Sequence, residues 1–171
     1  MRIIAGSFKG RNLKSPGDHR TRPTADRVKE AWFSILGDRL VDATVLDLYA
    51  GSGALGLEGL SRGAKSVEFV ETGKAALQAL RENVSELDVD DRVRIHRTDA
   101  LKFAVALAPR SFDIAVADPP YKSEGAAKLV AIFEQNPFAE VLAVEHRVTE
   151  VVQGDETRRY GDTALTFCYA K

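Results

Sequence analysis

The feature that most limits how this chain can fold is a regular alternation of short apolar segments with helical segments from Thr44 onward. The apolar segments predicted as strands are 44–48, 66–71, 92–97, 112–117 and 140–145. The segments with helical spacing between them are 54–61, 74–87, 100–107 and 124–135. Strands joined by helices form a parallel sheet covered on both faces, so we expect an α/β fold. The tail 148–170 lacks a helix and predicts a closing antiparallel pair.

The chain before this alternation is predicted to be a small appendage followed by a helix. Residues 2–13 predict a β-hairpin that turns near Lys9 and Gly10, and 15–23 is a polar loop. Thr24 is suited to cap a helix that continues to about Asp38. That helix is expected to bury Val28, Trp32, Phe33, Ile35 and Leu36. We therefore divide the chain into an N-terminal segment, 1–23, and a domain, 24–171.

The first 40 residues of the chain are basic, whereas the rest of the chain is acidic. Residues 1–40 contain nine Lys or Arg side chains and four Asp or Glu side chains, although the whole chain has a net charge of -1. Such asymmetry indicates contact with a polyanion at one end, and a merely solvated basic face is the alternative. The residues expected to contact the phosphates of such a polyanion are Arg2, Lys9, Arg11, Lys14, Arg20, Arg22 and Arg27. We expect the loop 15–22 to be mobile without that ligand.

Composition excludes several classes of protein. No apolar run reaches the ~20 residues of a membrane span, and the N-terminus does not resemble a signal peptide, so we expect a cytoplasmic protein. Cys168 is the single cysteine and lies in an alternating strand pattern, which predicts a buried thiol. His19, His96 and His146 are scattered and predict neither a metal site nor a catalytic triad. We expect a monomer, because no interaction segment is evident.

A glycine-rich motif connects the first predicted strand to the helix that follows it. Gly51 to Gly56 is a G-x-G-x-x-G sequence, and Glu71 lies twenty residues after Gly51 at the end of the next strand. Glycines of this kind let the backbone approach a ligand closely, and the acidic residue can bind ribose hydroxyls. The motif is therefore compatible with a nicotinamide-dependent dehydrogenase.

Asp47 favours a different nucleotide ligand. This carboxylate lies near the end of the first predicted strand, four positions before Gly51, where it would repel a pyrophosphate. S-adenosylmethionine has a ribose for Glu71, a cationic amino group and sulfonium for Asp47, and no phosphate. Asp99, after the third strand, is placed to accept a hydrogen bond from the adenine amino group. Because parallel strands end at one edge of the sheet, these three acids are expected to share one crevice.

The sequence Asp118-Pro119-Pro120-Tyr121 follows the fourth predicted strand and is expected at the rim of the same crevice. An exocyclic amine of a base is a poor nucleophile until acceptors bind its N–H groups. The Asp118 carboxylate and the Pro119 carbonyl could supply them, since two prolines form a stiff turn without N–H donors. Tyr121 offers a face on which a base can stack. The motif predicts methylation of a base amine, and a simple strand-ending turn is the alternative.

These motifs resemble those of the class I S-adenosylmethionine-dependent methyltransferases that act on amino groups. The resemblance is closest to the RsmD family of bacterial small-subunit ribosomal RNA guanine-N2 methyltransferases. The matching stretches are 2–6, 9–11, the R-P-T sequence at 22–24 with Arg27 and Glu30, 47–53 and 60–64, together with D-P-P-Y.

The resemblance implies a Rossmann-like seven-stranded, mostly parallel sheet with helices on both faces and a small N-terminal β-hairpin extension. It implies transfer of a methyl group from S-adenosylmethionine, with S-adenosylhomocysteine as product, to a flipped guanine of 16S rRNA in the small subunit or an assembly intermediate. The implied cofactor-binding residues are Asp47, Tyr49, Gly51, Gly53, Glu71, Asp99, Ala100 and Asp118.

Three other functions remain open at this stage. A DNA adenine-N6 or cytosine-N4 methyltransferase would use the same D-P-P-Y chemistry, although the short chain has no separate DNA-recognition domain. A non-catalytic ribosome-assembly factor would need only the basic segment. The dehydrogenase remains a weaker possibility because of Asp47.

Overall fold

The computed structural model describes residues 1–16 and 23–171. Its α-helices are α1 (Pro23–Leu36), α2 (Ala54–Ser61), α3 (Lys74–Glu86), α4 (Ala100–Val105) and α5 (Gly125–Gln135). Its strands are β1 (Thr44–Leu48), β2 (Ser66–Val70), β3 (Val93–His96), β4 (Phe112–Ala117), β5 (Ala139–Arg147), β6 (Glu156–Tyr160) and β7 (Thr163–Tyr169). Short 3-10 helices follow α1 at Gly37–Leu40 and precede β3 at Asp90–Arg92.

The strands form one seven-stranded sheet in the order β3-β2-β1-β4-β5-β7-β6. The first five strands of this order are parallel, and β7 is antiparallel to both β5 and β6. The predicted α/β fold with a mostly parallel sheet and a closing antiparallel pair is confirmed. The strand order reverses direction between β1 and β4, which is where open α/β sheets bind ligands.

Helices cover both faces of the sheet because successive strand residues point to opposite sides. In β4, Ile114 and Val116 pack with α1, α2 and α3, whereas Ala115 and Ala117 pack with α4 and α5. Trp32 is fully buried in the first of these clusters. The interior strands are therefore buried on both faces, as continuous apolar segments predict.

Helix α1 ends earlier than predicted. Gly37 has a left-handed backbone conformation, with φ of +52°, which an α-helix cannot contain. The chain leaves the α-helix at Leu36 and continues as a 3-10 helix to Leu40, whose side chain is buried.

The predicted N-terminal hairpin is short, with an antiparallel bridge between Arg2 and Asn12. Across it, Ile3 N donates to the carbonyl of Arg11 at 3.0 Å, and Gly10 N donates to the carbonyl of Ile3 at 2.9 Å. The N–H groups of Ile4 and Ala5 donate to the Glu58 carboxylate at 2.8 and 3.1 Å, so the hairpin is also bound to α2.

Glu58 is the centre of a buried charge network that fixes the N-terminal segment. Its side chain is fully buried, and it contacts Lys29 Nζ at 3.2 Å and Arg62 Nε at 2.9 Å. Lys29 also donates to the carbonyl of Arg2 at 2.6 Å. The first residues of the chain are therefore held by backbone and side-chain contacts to both α1 and α2.

A second tie joins the N-terminal segment to the glycine loop. The Asn83 side chain in α3 accepts a hydrogen bond from Lys14 N at 2.7 Å and donates to Lys14 O at 2.9 Å. It also donates to Ser52 O at 3.0 Å. Ile3 and Leu13 are buried in the same core as α1 to α3. The described part of the N-terminal segment thus packs into the core of the domain, and the division at residue 23 remains a prediction.

Some sequence-based predictions fall outside the described residues. They concern Arg20, Arg22, the mobility of the loop and the capping side chain of Thr24. Among the described residues, no helix is long and apolar enough to span a membrane.

Candidate active site

The carboxyl ends of four neighbouring strands meet at one edge of the sheet. The registers align the last residues of β1, β2 and β4 with Val144 of β5, so the residues that follow each lie side by side. These residues are Tyr49, Glu71, Asp118 and Glu145. A cleft of about 470 Å³ opens here, lined by Tyr49, Glu71, Thr72, Asp118, Pro119, Pro120 and Tyr121. The structure therefore brings the D-P-P-Y residues into one cleft with Tyr49, which precedes the glycine loop, and with Glu71, which binds Gly51 N.

The glycine loop is shaped by packing as well as by conformation. Gly53 precedes α2 with φ of +91°, and a Cβ atom there would lie 2.5 Å from Leu80 Cδ1. A Cβ atom at Gly56 would lie 2.3 Å from Phe69 Cε1, so this glycine permits close contact between α2 and β2. These two glycines set the position of the loop and of the N-terminus of α2.

Glu71 is fixed at the rim of the cleft by backbone amides. Its Oε1 accepts from Gly51 N at 2.8 Å, and its Oε2 accepts from Thr72 N and Gly73 N at 2.7 Å each. Because a carboxylate has about four acceptor positions, a ligand can still donate to it. The geometry suits an acceptor for ribose hydroxyls, and that role remains a prediction.

Asp47 lies beneath the glycine loop and is 1% exposed. Its Oδ2 accepts from Gly56 N at 2.9 Å, whereas its Oδ1 has no partner among the described residues. Burial raises the pKa of Asp47 well above its usual value, against the opposing effect of the Gly56 hydrogen bond, and the charges of Asp118 and Glu71 raise it further. A nearby cation would stabilise the charged form. The unpartnered oxygen therefore fits a cationic ligand, and direct contact remains a prediction.

The predicted adenine site is at the start of α4. Asp99 caps this helix, and its Oδ1 accepts from Lys102 N at 2.9 Å. Ala100 follows as a buried residue, and Asp99 is exposed. Burial raises the pKa of Tyr49, and the charge of Asp99 raises it further, which indicates that the two groups are neighbours at this edge. Asp99 and Ala100 are absent from the cleft lining, so the structure places them beside the cleft.

The D-P-P-Y sequence forms the opposite wall of the cleft. Pro119 is buried, and Tyr121 is 41% exposed. The guanidinium carbon of Arg147 lies 4.4 Å from the centre of the Tyr121 ring. Asp118 has exposed surface in the cleft, yet surrounding protein atoms desolvate its carboxyl group and raise the pKa of Asp118 to about 6. This carboxyl group is therefore mainly ionised at neutral pH.

Activity that depends on ionised Asp118 is expected to decrease as the pH falls below about 6. The pKa is raised, so the acceptor form predominates above it and is lost by protonation below it. We expect turnover at saturating substrates to fall about tenfold per pH unit on the acidic side. Turnover between pH 5 and pH 8 tests this, with the substrate checked for integrity at each pH. A flat profile would show that Asp118 does not act as an ionised acceptor.

Glu145 is a site residue that the sequence-based analysis missed. The sequence pattern predicts it only as the last residue of a strand, yet it follows Val144, which pairs with Ala117, and so it lies beside Asp118. Trp32 Nε1 donates to Glu145 Oε2 at 3.4 Å. The signal was present in the sequence, because Glu145 is another acid at the carboxyl end of a predicted strand.

The described residues predicted to contact RNA are exposed, but several are also tied to the protein. They are Arg2, Lys9, Arg11, Lys14 and Arg27. Arg11 Nη2 donates to the Glu86 carbonyl at 3.0 Å, Lys14 Nζ lies 2.9 Å from the Glu86 carboxylate, and Arg2 Nε is 3.9 Å from Asp26. Asp26 lines a small cavity together with Asp118, so the beginning of α1 reaches the edge of the sheet at which the cleft opens. RNA contact by these residues remains a prediction.

Comparisons with known proteins agree with this geometry. The family model described as "Conserved hypothetical protein 95" matches residues 1–168. Ribosomal RNA small subunit methyltransferase D of Escherichia coli K12 is 36% identical over 154 residues, which cover 90% of this chain and 77% of that protein. The solved structure of yhhF from Escherichia coli has a TM-score of 0.83 and 33% identity, covering 98% of this chain and 96% of that one.

A more distant structure shares the fold. The Thermus thermophilus 16S rRNA N2 methyltransferase RsmC, solved with AdoMet and guanosine, has a TM-score of 0.68 and 21% identity, covering 91% of this chain and 45% of that one. The fold is thus that of the class I Rossmann-like methyltransferases. With a family model matching almost the whole chain and a relative covering nine-tenths of it, the chain belongs to the RsmD family.

Proposed function

We propose that this protein is an rRNA methyltransferase that transfers a methyl group from S-adenosylmethionine to the N2 amine of a guanine in 16S rRNA of the small ribosomal subunit. The observation that carries the proposal is the shared cleft, which is lined by Asp118 and Tyr121 together with Glu71. The name of the Escherichia coli relative supports rRNA of the small subunit as the substrate class. That name specifies neither the base nor the atom, so the guanine N2 position rests on the chemistry of the D-P-P-Y residues.

The nucleotide side of the cleft suits S-adenosylmethionine better than a dinucleotide. Glu71 offers an anchored carboxylate for the ribose, and Asp47 has a buried oxygen without a partner beneath the loop. A buried carboxylate at this place opposes a pyrophosphate and favours a cation. When bound, S-adenosylmethionine supplies a methyl group that forms a bond to nitrogen as its bond to sulfur breaks, leaving S-adenosylhomocysteine and one proton.

The opposite wall can bind and orient an amine. The Pro120 carbonyl accepts the Ser123 hydroxyl at 2.6 Å, whereas the Pro119 carbonyl accepts no hydrogen bond within the described residues. Ionised Asp118 and the Pro119 carbonyl can each accept one N–H of the amine, which directs the nitrogen lone pair away from the base ring. Asp118 can then accept the proton released on transfer. Orientation of this kind can contribute ~7–11 kcal/mol to lowering a barrier.

Access to a base in folded RNA requires that the base leave its stack, which costs a few kcal/mol. Tyr121 can offset part of that cost by stacking, with Arg147 already over one side of its ring. The exposed basic residues near the start of α1 can contact phosphates and set the orientation of the RNA.

The test is methyl transfer from labelled S-adenosylmethionine to small subunits isolated without the modification, to naked 16S rRNA and to duplex DNA. We expect label in N2-methylguanosine after nuclease digestion of the RNA. A higher rate on small subunits than on naked RNA would show that assembled ribosomal protein contributes to recognition.

The three substrates distinguish the rival functions. Label in DNA with none in RNA would replace the proposal with a DNA amine methyltransferase. Cofactor binding without transfer to any of the substrates would contradict the proposed reaction. A matched control is the Asp118→Asn variant, which should bind RNA but transfer little label.

A further inference from the structure

A small cavity lies behind Asp118, on the β5 side of the cleft. Its volume is about 120 Å³, and its lining includes Asp26, Lys29, Trp32, Asp118 and Glu145. The cavity is thus walled by α1, the start of α2 and the ends of β4 and β5. Asp118 lines both this cavity and the cleft, so the cavity lies next to the place where an acceptor amine would bind.

Glu145 is a polar group of this cavity that lacks a strong partner within the described residues. Its one hydrogen bond within the described residues is the long contact from Trp32 Nε1 at 3.4 Å. Lys29 also lines the cavity, but its ammonium group contacts Glu58 at 3.2 Å and the Arg2 carbonyl at 2.6 Å instead of Glu145. Glu145 therefore has unused acceptor capacity next to Asp118.

The three amine-bearing bases differ in the ring atom beside the exocyclic amine. In guanine the N2 amine lies next to N1–H, which is a donor. In adenine and cytosine the corresponding ring nitrogen is an acceptor. A second carboxylate beside the amine-binding Asp118 can accept N1–H of guanine, whereas it faces a lone pair in adenine or cytosine.

We propose that Glu145 is a specificity-determining residue that accepts the N1–H of the target guanine while Asp118 binds the neighbouring N2 amine. This proposal rests on the proposed function and adds the group that selects the base. Trp32 of α1 contacts the carboxyl group, so α1 and β5 both contribute to its position.

The ionisation of Glu145 provides a direct consequence. Burial raises the pKa of Glu145 to about 8, and the charge of Asp118 raises it further, against a lowering by the Trp32 hydrogen bond. Other charged groups around the cavity are Asp26 and Lys29 of α1. Because the pKa of Glu145 is raised, its ionised form, which can only accept hydrogen bonds, predominates only above about pH 8. Below it, protonated Glu145 can donate to a ring nitrogen, and selectivity for N1–H decreases.

The test compares guanosine with 2-aminopurine riboside at the target position of 16S rRNA, introduced by ligation of synthetic RNA and followed by subunit assembly. 2-Aminopurine retains the amine but has an acceptor at N1. At pH 8.5, where Glu145 is mainly ionised, we expect wild-type protein to prefer guanosine by about 10- to 100-fold in kcat/KM, since hydrogen bonds to charged groups have about this effect. The preference should increase from pH 6.5 to pH 8.5.

The variant Glu145→Gln should reduce the preference to within about threefold, because an amide can donate or accept. The matched control is Glu140→Gln, at the other end of β5, which should retain the wild-type preference. The pH dependence in wild-type protein needs no variant and so tests the proposal even if Glu145→Gln folds poorly. Equal rates on both bases, or an unchanged preference in Glu145→Gln, would overturn the inference and leave the proposed function intact. Absence of transfer to guanosine would overturn the proposed function and the inference with it.

Discussion

Replacing Asp118 with asparagine is expected to lower turnover roughly a thousandfold, within the range seen when a general base or a stabilising acceptor is removed. The substitution preserves the size of the side chain but removes the negative charge that binds the amine and takes up its proton. Because Glu71 and the glycine loop are unchanged, we expect the dissociation constant of S-adenosylmethionine to change by no more than about threefold. Single-turnover kinetics and calorimetric titration of the cofactor measure the two quantities separately.

A matched control for this substitution is Asp91→Asn. Asp91 is exposed and precedes β3, at the opposite edge of the sheet from the cleft. Its replacement should leave turnover and cofactor binding unchanged. If Asp118→Asn retains near-normal turnover while it binds the cofactor, Asp118 is not central to the reaction.

Replacing Glu58 with alanine is expected to destabilise the protein by roughly 3–5 kcal/mol, the typical loss when one member of a buried ion pair is removed. The substitution would leave Lys29, which is 6% exposed, without its carboxylate. It would also leave the N–H groups of Ile4 and Ala5 without their acceptors. For a chain of this size, the melting temperature should fall by roughly 6–20 °C. Thermal and urea denaturation followed by circular dichroism measure the change.

Glu82→Ala is the matched control for Glu58→Ala. Glu82 also pairs with a lysine, Lys14, at 3.0 Å, but both side chains are exposed. Solvent screens exposed ion pairs so that they add little to stability, and this variant should melt close to the wild type. Similar melting temperatures for Glu58→Ala and Glu82→Ala would show that the buried network adds little to stability.

The fold could be predicted from the sequence because its elements follow local hydrophobic patterns. The predicted bounds of 54–61 and 112–117 coincide with α2 and β4. The contact of the N-terminal hairpin with α2 could not be predicted in this way. The backbone amides of Ile4 and Ala5 bind Glu58 more than fifty residues away, and no local pattern encodes such a contact.

The candidate site was predictable where each residue follows a strand directly. The strand ends placed Glu71 and Asp118 in one cleft because parallel strands share an edge. Glu145 and its partner Trp32 are separated by 113 residues, so their contact depends on how α1 packs against the sheet. That packing is set by the whole core and could not be deduced from the spacing of motifs.

The hydrogen bonds that hold the backbone of the N-terminal segment have a consequence for the entropy of RNA association. The backbone at Ile4, Ala5 and Lys14 is already hydrogen-bonded to Glu58 and Asn83. Ordering a free backbone costs about 1–2 kcal/mol per residue, whereas a preordered one loses only side-chain rotamer freedom. Phosphate contacts from Arg2, Lys9 and Arg11 would thus form on a backbone that is already ordered. Little of the favourable electrostatic free energy of binding would then be offset by the entropy cost of ordering that backbone.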